Sequence, residues 1–482
     1  MDKVTIIAQA YPFPPTEEQL IFCSRMAGFL SGRLDEKCFV LKGYAGTGKT
    51  TSVAALVKAL PQFKLRSVLL APTGRAAKVM SNYTGKKALT IHKKIYRKRS
   101  AVALEMAFQP APNLAENTLF IVDEASMIAD EWNSQNASSF LKDLMEFVYN
   151  QKNCAVVFVG DTAQLPPVGS LDSPALNPVH LAESFLLDVV HVELKEVVRQ
   201  EKKSGILANA TMLRKLINDY TTKEELGEFP EIELPKFITK SYKDIFRMTG
   251  VKLVEGLEYA YSKFDIENCL VVCRSNKSAN VYNQQIRARL LYREEELTGG
   301  DQIMVVRNNY FWLGENESAS FIANGDMARI TRVRNEEERY GLRFSEVQME
   351  FLDYPELGAI TCKVLLDTLT GETPNLSYED SKKLYEGVSL DYEHIKTKKE
   401  RFAAIKEDPY YNALQIKFAY AVTCHKAQGG QWDAVFVDQG YLTDDMVDMD
   451  FLRWLYTAVT RAKRELFLVN FAQNLFTTPA ED

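Results

Sequence analysis

Gly43-Tyr44-Ala45-Gly46-Thr47-Gly48-Lys49-Thr50 stands between an apolar run at residues 38–41 and a helix-like stretch at residues 51–60. The octet satisfies G-x-x-x-x-G-K-[ST] in full, in the strand–loop–helix setting that the motif needs. Glycines are required because backbone N–H groups must close around phosphate oxygens with no Cβ in the way. The N-terminus of the following helix adds partial positive charge. Lys49 is placed to reach β- and γ-phosphates, and the Thr50 hydroxyl to hold Mg²⁺. Gly43, Gly46, Thr47, Gly48, Lys49, Thr50 and Thr51 are therefore the candidate nucleotide-binding residues, with ATP and Mg²⁺ as the expected cofactors.

Outward from this loop, short apolar runs at residues 38–42, 67–71, 118–122 and 155–160 alternate with helical stretches. That grammar predicts an α/β fold with buried parallel strands, whose ligands gather at the strands' carboxyl ends. One such end reads Leu119-Phe120-Ile121-Val122-Asp123-Glu124-Ala125-Ser126. Asp123 is the expected Mg²⁺ partner and Glu124 the group that polarises an attacking water, a pair that favours a hydrolase over a small-molecule kinase. Another reads Val159-Gly160-Asp161-Thr162-Ala163-Gln164-Leu165-Pro166-Pro167, where the Gln164 amide is a candidate γ-phosphate sensor. Runs at residues 270–273, 434–437 and 466–469 repeat the pattern and predict a second α/β domain.

The whole chain has 482 residues, too many for one typical domain. With 46% hydrophobic and 25% charged residues it is neither a disordered tail, a collagen-like chain nor a small disulfide scaffold. A formal charge of −6 offers no global basic field, yet a local basic groove remains compatible with a nucleic-acid partner. No apolar run is long enough for a membrane span, and residues 4–8 are too brief for a signal-peptide core. Seven scattered cysteines fit reduced thiols in a cytoplasm. Cys269 and Cys273 read as part of a buried strand rather than a metal site.

Two segments interrupt the α/β pattern. Residues 98–117 follow a basic stretch and read as a small insertion of hairpin type. Residues 300–360 alternate apolar and polar positions with turn signals such as Asn324-Gly325, which predicts an all-β module. Residues 377–407 are densely charged, with Leu384, Ile395 and Phe402 at helical spacing, and read as a solvated helical excursion.

Taken in order, residues 43–50, 123–126, 160–167, 199–200, 425–429 and 456–462 resemble the motifs of superfamily 1 helicases. The set is most similar to the 5′-to-3′ branch (1B) that holds the RecD-like, Dda-like and Pif-type enzymes. The resemblance implies two tandem RecA-like P-loop domains, with a small pin insertion in the first and an SH3-like β insertion in the second. The implied borders are 1–188 for the first domain, with its pin at 96–118. The second takes 189–295 and 408–482, and the SH3-like module 296–407 with its charged extension at 377–407.

By position, Gln19 resembles the amide that reads an adenine edge, while Arg199 and Arg461 resemble the two arginines offered to the γ-phosphate. A planar guanidinium suits a spreading transition-state charge. Val198 stands where several relatives carry a base-stacking aromatic, which makes Tyr11 and Phe13 substitutes to consider. Pro72, Thr73, Arg75, His92, Phe108, Asn276, Lys277, Thr423, His425 and Lys426 resemble the nucleic-acid track. Hydroxyls and lysines suit phosphate contacts, His92 a base face, and Phe108 the pin's tip.

The expected function is an ATP-dependent DNA helicase moving 5′ to 3′ on single strands, in replication, recombination or repair. An RNA helicase and a translocase that strips proteins without unwinding are the alternatives. Expected partners are single-stranded DNA and single-strand/duplex junctions, with a single-strand-binding protein as a candidate. The enzyme is expected to act as a cytoplasmic, nucleoid-associated monomer, without a membrane and without a nuclease centre.

Overall fold

The computed structural model describes residues 2–97, 109–130, 139–197, 204–228, 231–313, 321–443 and 446–477. Helices α1 (Lys3–Gln9) and α2 (Glu17–Phe29) precede β1 (Lys37–Gly43), α3 (Lys49–Ala59), β2 (Arg66–Ala71), α4 (Gly74–Thr84), β3 (Ala88–Thr90) and α5 (Ile91–Ile95). Then follow β4 (Tyr96–Arg97), β5 (Gln109–Pro110), β6 (Thr118–Val122), α6 (Phe140–Tyr149), β7 (Cys154–Gly160), α7 (Pro178–Phe185), β8 (Asp188–Leu194), α8 (Gly205–Glu225) and β9 (Ile245–Met248). Next come α9 (Leu253–Phe264), β10 (Cys269–Cys273), α10 (Asn276–Gln285), β11 (Gln302–Val305), β12 (Met327–Arg339), β13 (Leu342–Phe351) and β14 (Ala359–Leu365). The chain closes with α11 (Tyr378–Asp391), α12 (Lys398–Lys406), β15 (Leu414–Phe418), β16 (Ala421–Thr423), α13 (Cys424–Ala427), β17 (Trp432–Asp438), α14 (Met449–Val459) and β18 (Ala462–Val469).

These elements fall into two compact units, one holding Met1–Tyr96, Pro110–Thr249 and Ala427–Asp482, the other Arg97–Gln109 and Gly250–Lys426. In the first unit six strands lie in the order β3-β2-β6-β7-β1-β8, every neighbouring pair parallel. Period-two side-chain alternation explains why both faces are covered. Phe39 and Leu41 of β1, Leu119 and Ile121 of β6, and Val157 and Val159 of β7 join the core under α1 to α4. Their alternates Cys38 and Val40, Phe120 and Val122, and Val156 and Phe158 join the core under α5 and α6. The strands' carboxyl ends then converge on one edge: Gly43 of β1, Ala71 of β2, Asp123 after β6 and Asp161 after β7. Strands β17, β18 and β9 of the same unit are parallel as well.

In the second unit β10 and β16 pair in parallel, and β10 is buried along its whole length, Cys269 and Cys273 included. The β module is a closed barrel, β11-β12-β13-β14-β15. It extends past the expected residues 300–360, because β15 returns from beyond the charged stretch to pair with β11 and β14. That stretch forms α11 and α12, and it is not wholly solvated. Leu384, Val388 and Ile405 are buried against Leu342, Phe344 and Leu365 of the barrel. The expected face of Leu384, Ile395 and Phe402 is thus only partly the packed one, since Val388 and Ile405 supply the rest.

A buried polar knot ties the barrel to the helix before it. Asp301, fully buried, accepts from Arg287 Nε at 2.9 Å, Arg293 Nη1 at 2.6 Å, Tyr420 Oη at 2.9 Å and Thr298 N at 2.9 Å. Removing one member strands the remaining charges in low dielectric, at a cost of about 3–5 kcal/mol. Asp301→Ala is therefore expected to lower stability by that amount in chemical denaturation, whereas Glu267→Ala, on a surface pair with Arg329, changes it by less than about 1 kcal/mol.

Candidate nucleotide site and nucleic-acid track

Gly46 and Gly48 adopt φ of 78° and 85°, conformations in which a side chain would be strained. Gly48 caps α3, so the loop's N–H groups and the helix N-terminus face the same space. Lys49 Nζ donates to the carbonyls of Gly43 at 2.6 Å and Tyr44 at 2.8 Å. The ammonium is thereby held at the loop's mouth. Thr47 Oγ1 donates to the Tyr44 carbonyl at 2.9 Å and braces the turn. Thr50 and Thr51 open the helix beside Lys49.

Asp123 follows β6, its N–H donating to the Leu70 carbonyl at 3.0 Å. Glu124 takes a left-handed backbone, φ 52° and ψ 39°, which a non-glycine residue holds only when its surroundings demand it. Burial raises the Glu124 carboxyl above the ordinary glutamate range. Arg461 and Lys49 pull it back down, while Asp123 and Asp161 push it further up. Hard oxygen donors on Thr50 and Asp123, with a cation and a glycine cradle beside them, fit Mg²⁺ and a polyphosphate.

Residues far along the chain complete this edge. Tyr456 of α14 accepts from the Ala45 N–H at 3.0 Å and donates to Asp161 Oδ2 at 2.6 Å. Thr457 Oγ1 accepts from the Leu165 N–H at 2.9 Å, and Gln428 Nε2 donates to the Leu165 carbonyl at 2.7 Å. Arg461 is buried, its guanidinium aligned by the carbonyls of Thr457 and Gly430 and by Thr460 Oγ1. Gln164 is buried between these segments, and its Oε1 has no hydrogen-bond partner among the described residues.

The remaining expected residues are placed as follows. Gln19 closes a capping box, its Oε1 accepting from the Thr16 N–H at 3.0 Å. Tyr11 is buried and donates to Ser52 Oγ at 2.8 Å, a packing role, whereas Phe13 is exposed. Arg199 and Phe108, like Val198, lie outside the described residues. The backbone just before Arg199 is anchored, since Glu18 Oε2 accepts from the N–H groups of Lys195 and Glu196 at 2.6 and 2.8 Å.

Pro72 and Thr73 stand between β2 and α4, and Thr73 caps that helix. Arg75 lies over the Trp432 ring at 4.3 Å and donates to the Gln431 carbonyl. His92 stacks on Phe140, ring centroids 4.3 Å apart, and burial pushes its pKa down to about 4. That face of the imidazole is already taken, so a base would need the other.

In the second unit Asn276, Thr423 and Lys426 line one cavity together with Asn280, Asn283 and Lys417. Lys277 is exposed and 3.8 Å from Glu372, and His425 is exposed beside Lys426 on α13. Lys426 Nζ donates to Asn324 Oδ1 of the barrel turn at 2.6 Å, and burial lowers its pKa.

Sequence reading did not single out Asp161, Gln428, Tyr456 or Thr457, although each sits in a quoted motif. Arg214 of α8, stacked on Tyr44 at 4.5 Å, and Tyr83, which donates to Asp123 Oδ2 at 2.6 Å, carry no motif signal at all.

Residues 33–224 match the AAA domain family, and residues 418–469 match the UvrD-like helicase C-terminal domain. The two matches coincide with the two segments that build this edge. The chain is 24% identical to the ATP-dependent DNA helicase dda of Enterobacteria phage T4, over 89% of this chain and 93% of that one. It is 31% identical to the ATP-dependent RecD2 DNA helicase of Deinococcus radiodurans across 195 residues, 40% of this chain and 23% of that one. Together these matches support a superfamily 1B helicase. Among solved structures, Bacteroides Pif1 helicase in complex with ADP-AlF3 and single-stranded DNA aligns over 96% of this chain and 95% of that one, with a TM-score of 0.47 and 14% identity.

The charges around Glu124 set a pH dependence for this helicase. With Glu124 as the expected base, its raised pKa leaves it ionised only above that raised value, so ATPase activity is expected to fall on acidification at a pH above the free-glutamate value of about 4.3. Arg461→Gln removes the foremost opposing charge and is expected to move the acid limb of the pH–rate profile to higher pH. A limb that stays in place or moves to lower pH contradicts this electrostatic assignment.

Proposed function

We propose that this helicase is an ATP-driven motor that moves 5′ to 3′ along single-stranded DNA and unwinds duplex DNA at single-strand/duplex junctions. The observation that supports it most is the Tyr456 bridge. One phenol joins the phosphate-loop N–H of Ala45 to Asp161, and Thr457 and Gln428 hold the loop that carries Gln164. A change at the γ-phosphate position is thereby mechanically linked to the C-terminal segment. The names of the relatives, DNA helicases in both cases, supply DNA as the substrate class.

Thr50 and Asp123 would hold Mg²⁺, whose positive charge would offset that of the nucleotide's phosphates. Lys49 exchanges its carbonyl contacts for β- and γ-phosphate oxygens. Glu124 orients a water in line and accepts its proton. Arg461, with Arg199, stabilises the charge that spreads over the transferred group. Gln164 reports the loss of that group to Leu165 and so to Gln428 and Thr457. Gln19 reads the adenine edge.

The proposed organisation is two RecA-like domains, 1–188 and 189–295 with 408–482. The pin lies at 96–118 and the SH3-like module at 296–407, to whose barrel β15 (Leu414–Phe418) adds a strand from beyond that border. Pro72, Thr73, Arg75 and His92 make one part of the strand track, and Asn276, Lys277, Thr423, His425 and Lys426 the other. Phe108 stands at the pin. A monomer, working in replication, recombination or repair with a single-strand-binding protein close by, fits this reading.

Lys49→Ala is expected to abolish ATP turnover while leaving single-stranded DNA affinity within about twofold, because the loss falls on phosphate contacts made in the transition state. ATP hydrolysis at the wild-type rate in that variant refutes the site. Strand displacement from 5′-tailed but not 3′-tailed duplexes is the expected polarity, and the reverse preference overturns it. ATPase stimulation by single-stranded RNA rather than DNA overturns the substrate class.

A further inference from the structure

Tyr83 belongs to no motif, yet its hydroxyl is the donor that meets the carboxylate after β6. Helix α4 is capped at its start by Thr73 and ends at Gly85, in the left-handed conformation that glycine favours. Its inner stripe, Gly74, Ala76, Ala77 and Met80, is buried. Tyr83 continues that stripe one turn on from Met80, and its ring packs on the core beneath the helix. The ring is therefore held by packing before its hydroxyl makes any bond.

The carboxylate it meets is fixed from every side. The Asp123 N–H donates to the Leu70 carbonyl, Oδ1 accepts from the Glu124 N–H at 2.9 Å, and Oδ2 accepts from Tyr83 Oη at 2.6 Å. Each oxygen keeps a lone pair for a metal or a metal-bound water. A hydrogen bond of this kind fixes the rotamer of a metal-binding side chain and tunes its donor strength.

We infer that Tyr83 is a positioning residue, which sets the orientation of Asp123 and thereby the grip of this site on the divalent cation that accompanies the nucleotide. The inference rests on the proposed reading of Asp123 as the metal-binding carboxylate. The role assigned to Tyr83 is one of position, so its effect runs through Asp123.

Mn²⁺, titrated into the ADP complex of the full chain and followed by its EPR signal, reads this grip without turnover. Tyr83→Phe keeps the ring and removes only the hydroxyl. About tenfold weaker Mn²⁺ affinity is expected, with ADP affinity in EDTA and the thermal midpoint unchanged. In an Asp123→Asn background the same substitution is expected to add no further loss, since the hydroxyl then has no carboxylate to orient. Unchanged or tighter Mn²⁺ binding in Tyr83→Phe overturns the inference. So does an equal additional loss in both backgrounds, or a fall in ADP affinity with and without metal alike, which marks a packing role. If Mn²⁺ affinity is also indifferent to Asp123→Asn alone, the failure belongs to the reading of the site and not to Tyr83.

Discussion

Asp161 is a carboxylate almost wholly withdrawn from water, and the molecule must supply what water no longer does. An unpaired charge in that position would cost several kcal/mol, so hydrogen-bond donors are obligatory. One comes from its own turn, the Ala163 N–H at 3.0 Å, and the other from Tyr456, 295 residues further along. The same phenol takes the Ala45 N–H, so satisfying one buried charge also sets where the phosphate loop stands. Leu165, Thr457 and Gln428 extend the link to the loop that holds Gln164. A nucleotide site assembled this way cannot change at one wall without changing at the others.

Around that anchor the edge carries stored strain and opposed charge. Glu124 holds a left-handed backbone although it has a Cβ, a conformation kept only where neighbours over-determine it. Two cations and two carboxylates act on its side chain in opposite senses. Gly429, at φ 73°, lets the segment before β17 run against α4: a Cβ there would come within 2.9 Å of Thr73 Oγ1 and 3.0 Å of the Ala76 side chain. Close backbone approach is what brings the start of α4, which follows the Pro72-Thr73 turn, against the C-terminal segment.

The second unit solves a similar problem with different means. Its barrel and the helix before it share Asp301, whose partners arrive from Arg287, Arg293, Thr298 and Tyr420. The barrel turn at Asn324 reaches Lys426, which ties the β module to a lysine of the proposed strand track. Helices α11 and α12 show how a strongly charged stretch still folds. Three apolar side chains in the right places dock it on the barrel, and the charges occupy the remaining faces.

Read alone, the chain determined a good deal, because some chemistry is local. A glycine-rich octet between a strand and a helix, and apolar runs ending in Asp123-Glu124 and Asp161, leave little choice about an α/β sheet with a phosphate site on its carboxyl edge. Period-two alternation was enough to foresee a β module, and the helical spacing of Leu384, Ile395 and Phe402 in a densely charged stretch enough to foresee helices after it. What tertiary structure alone decided are contacts between positions whose identities carry no mutual signal. The return of β15 into the barrel, the stacking of Phe140 on His92, the capture of Asn324 by Lys426 and the bond from Tyr83 to Asp123 are of this kind. A tyrosine at the end of an amphipathic helix looks like packing in one dimension. It becomes a partner of the Asp123 carboxylate only when β2 and β6 lie side by side and bring α4 over the edge, because hydrogen bonds depend on distance in space and not on separation along the chain.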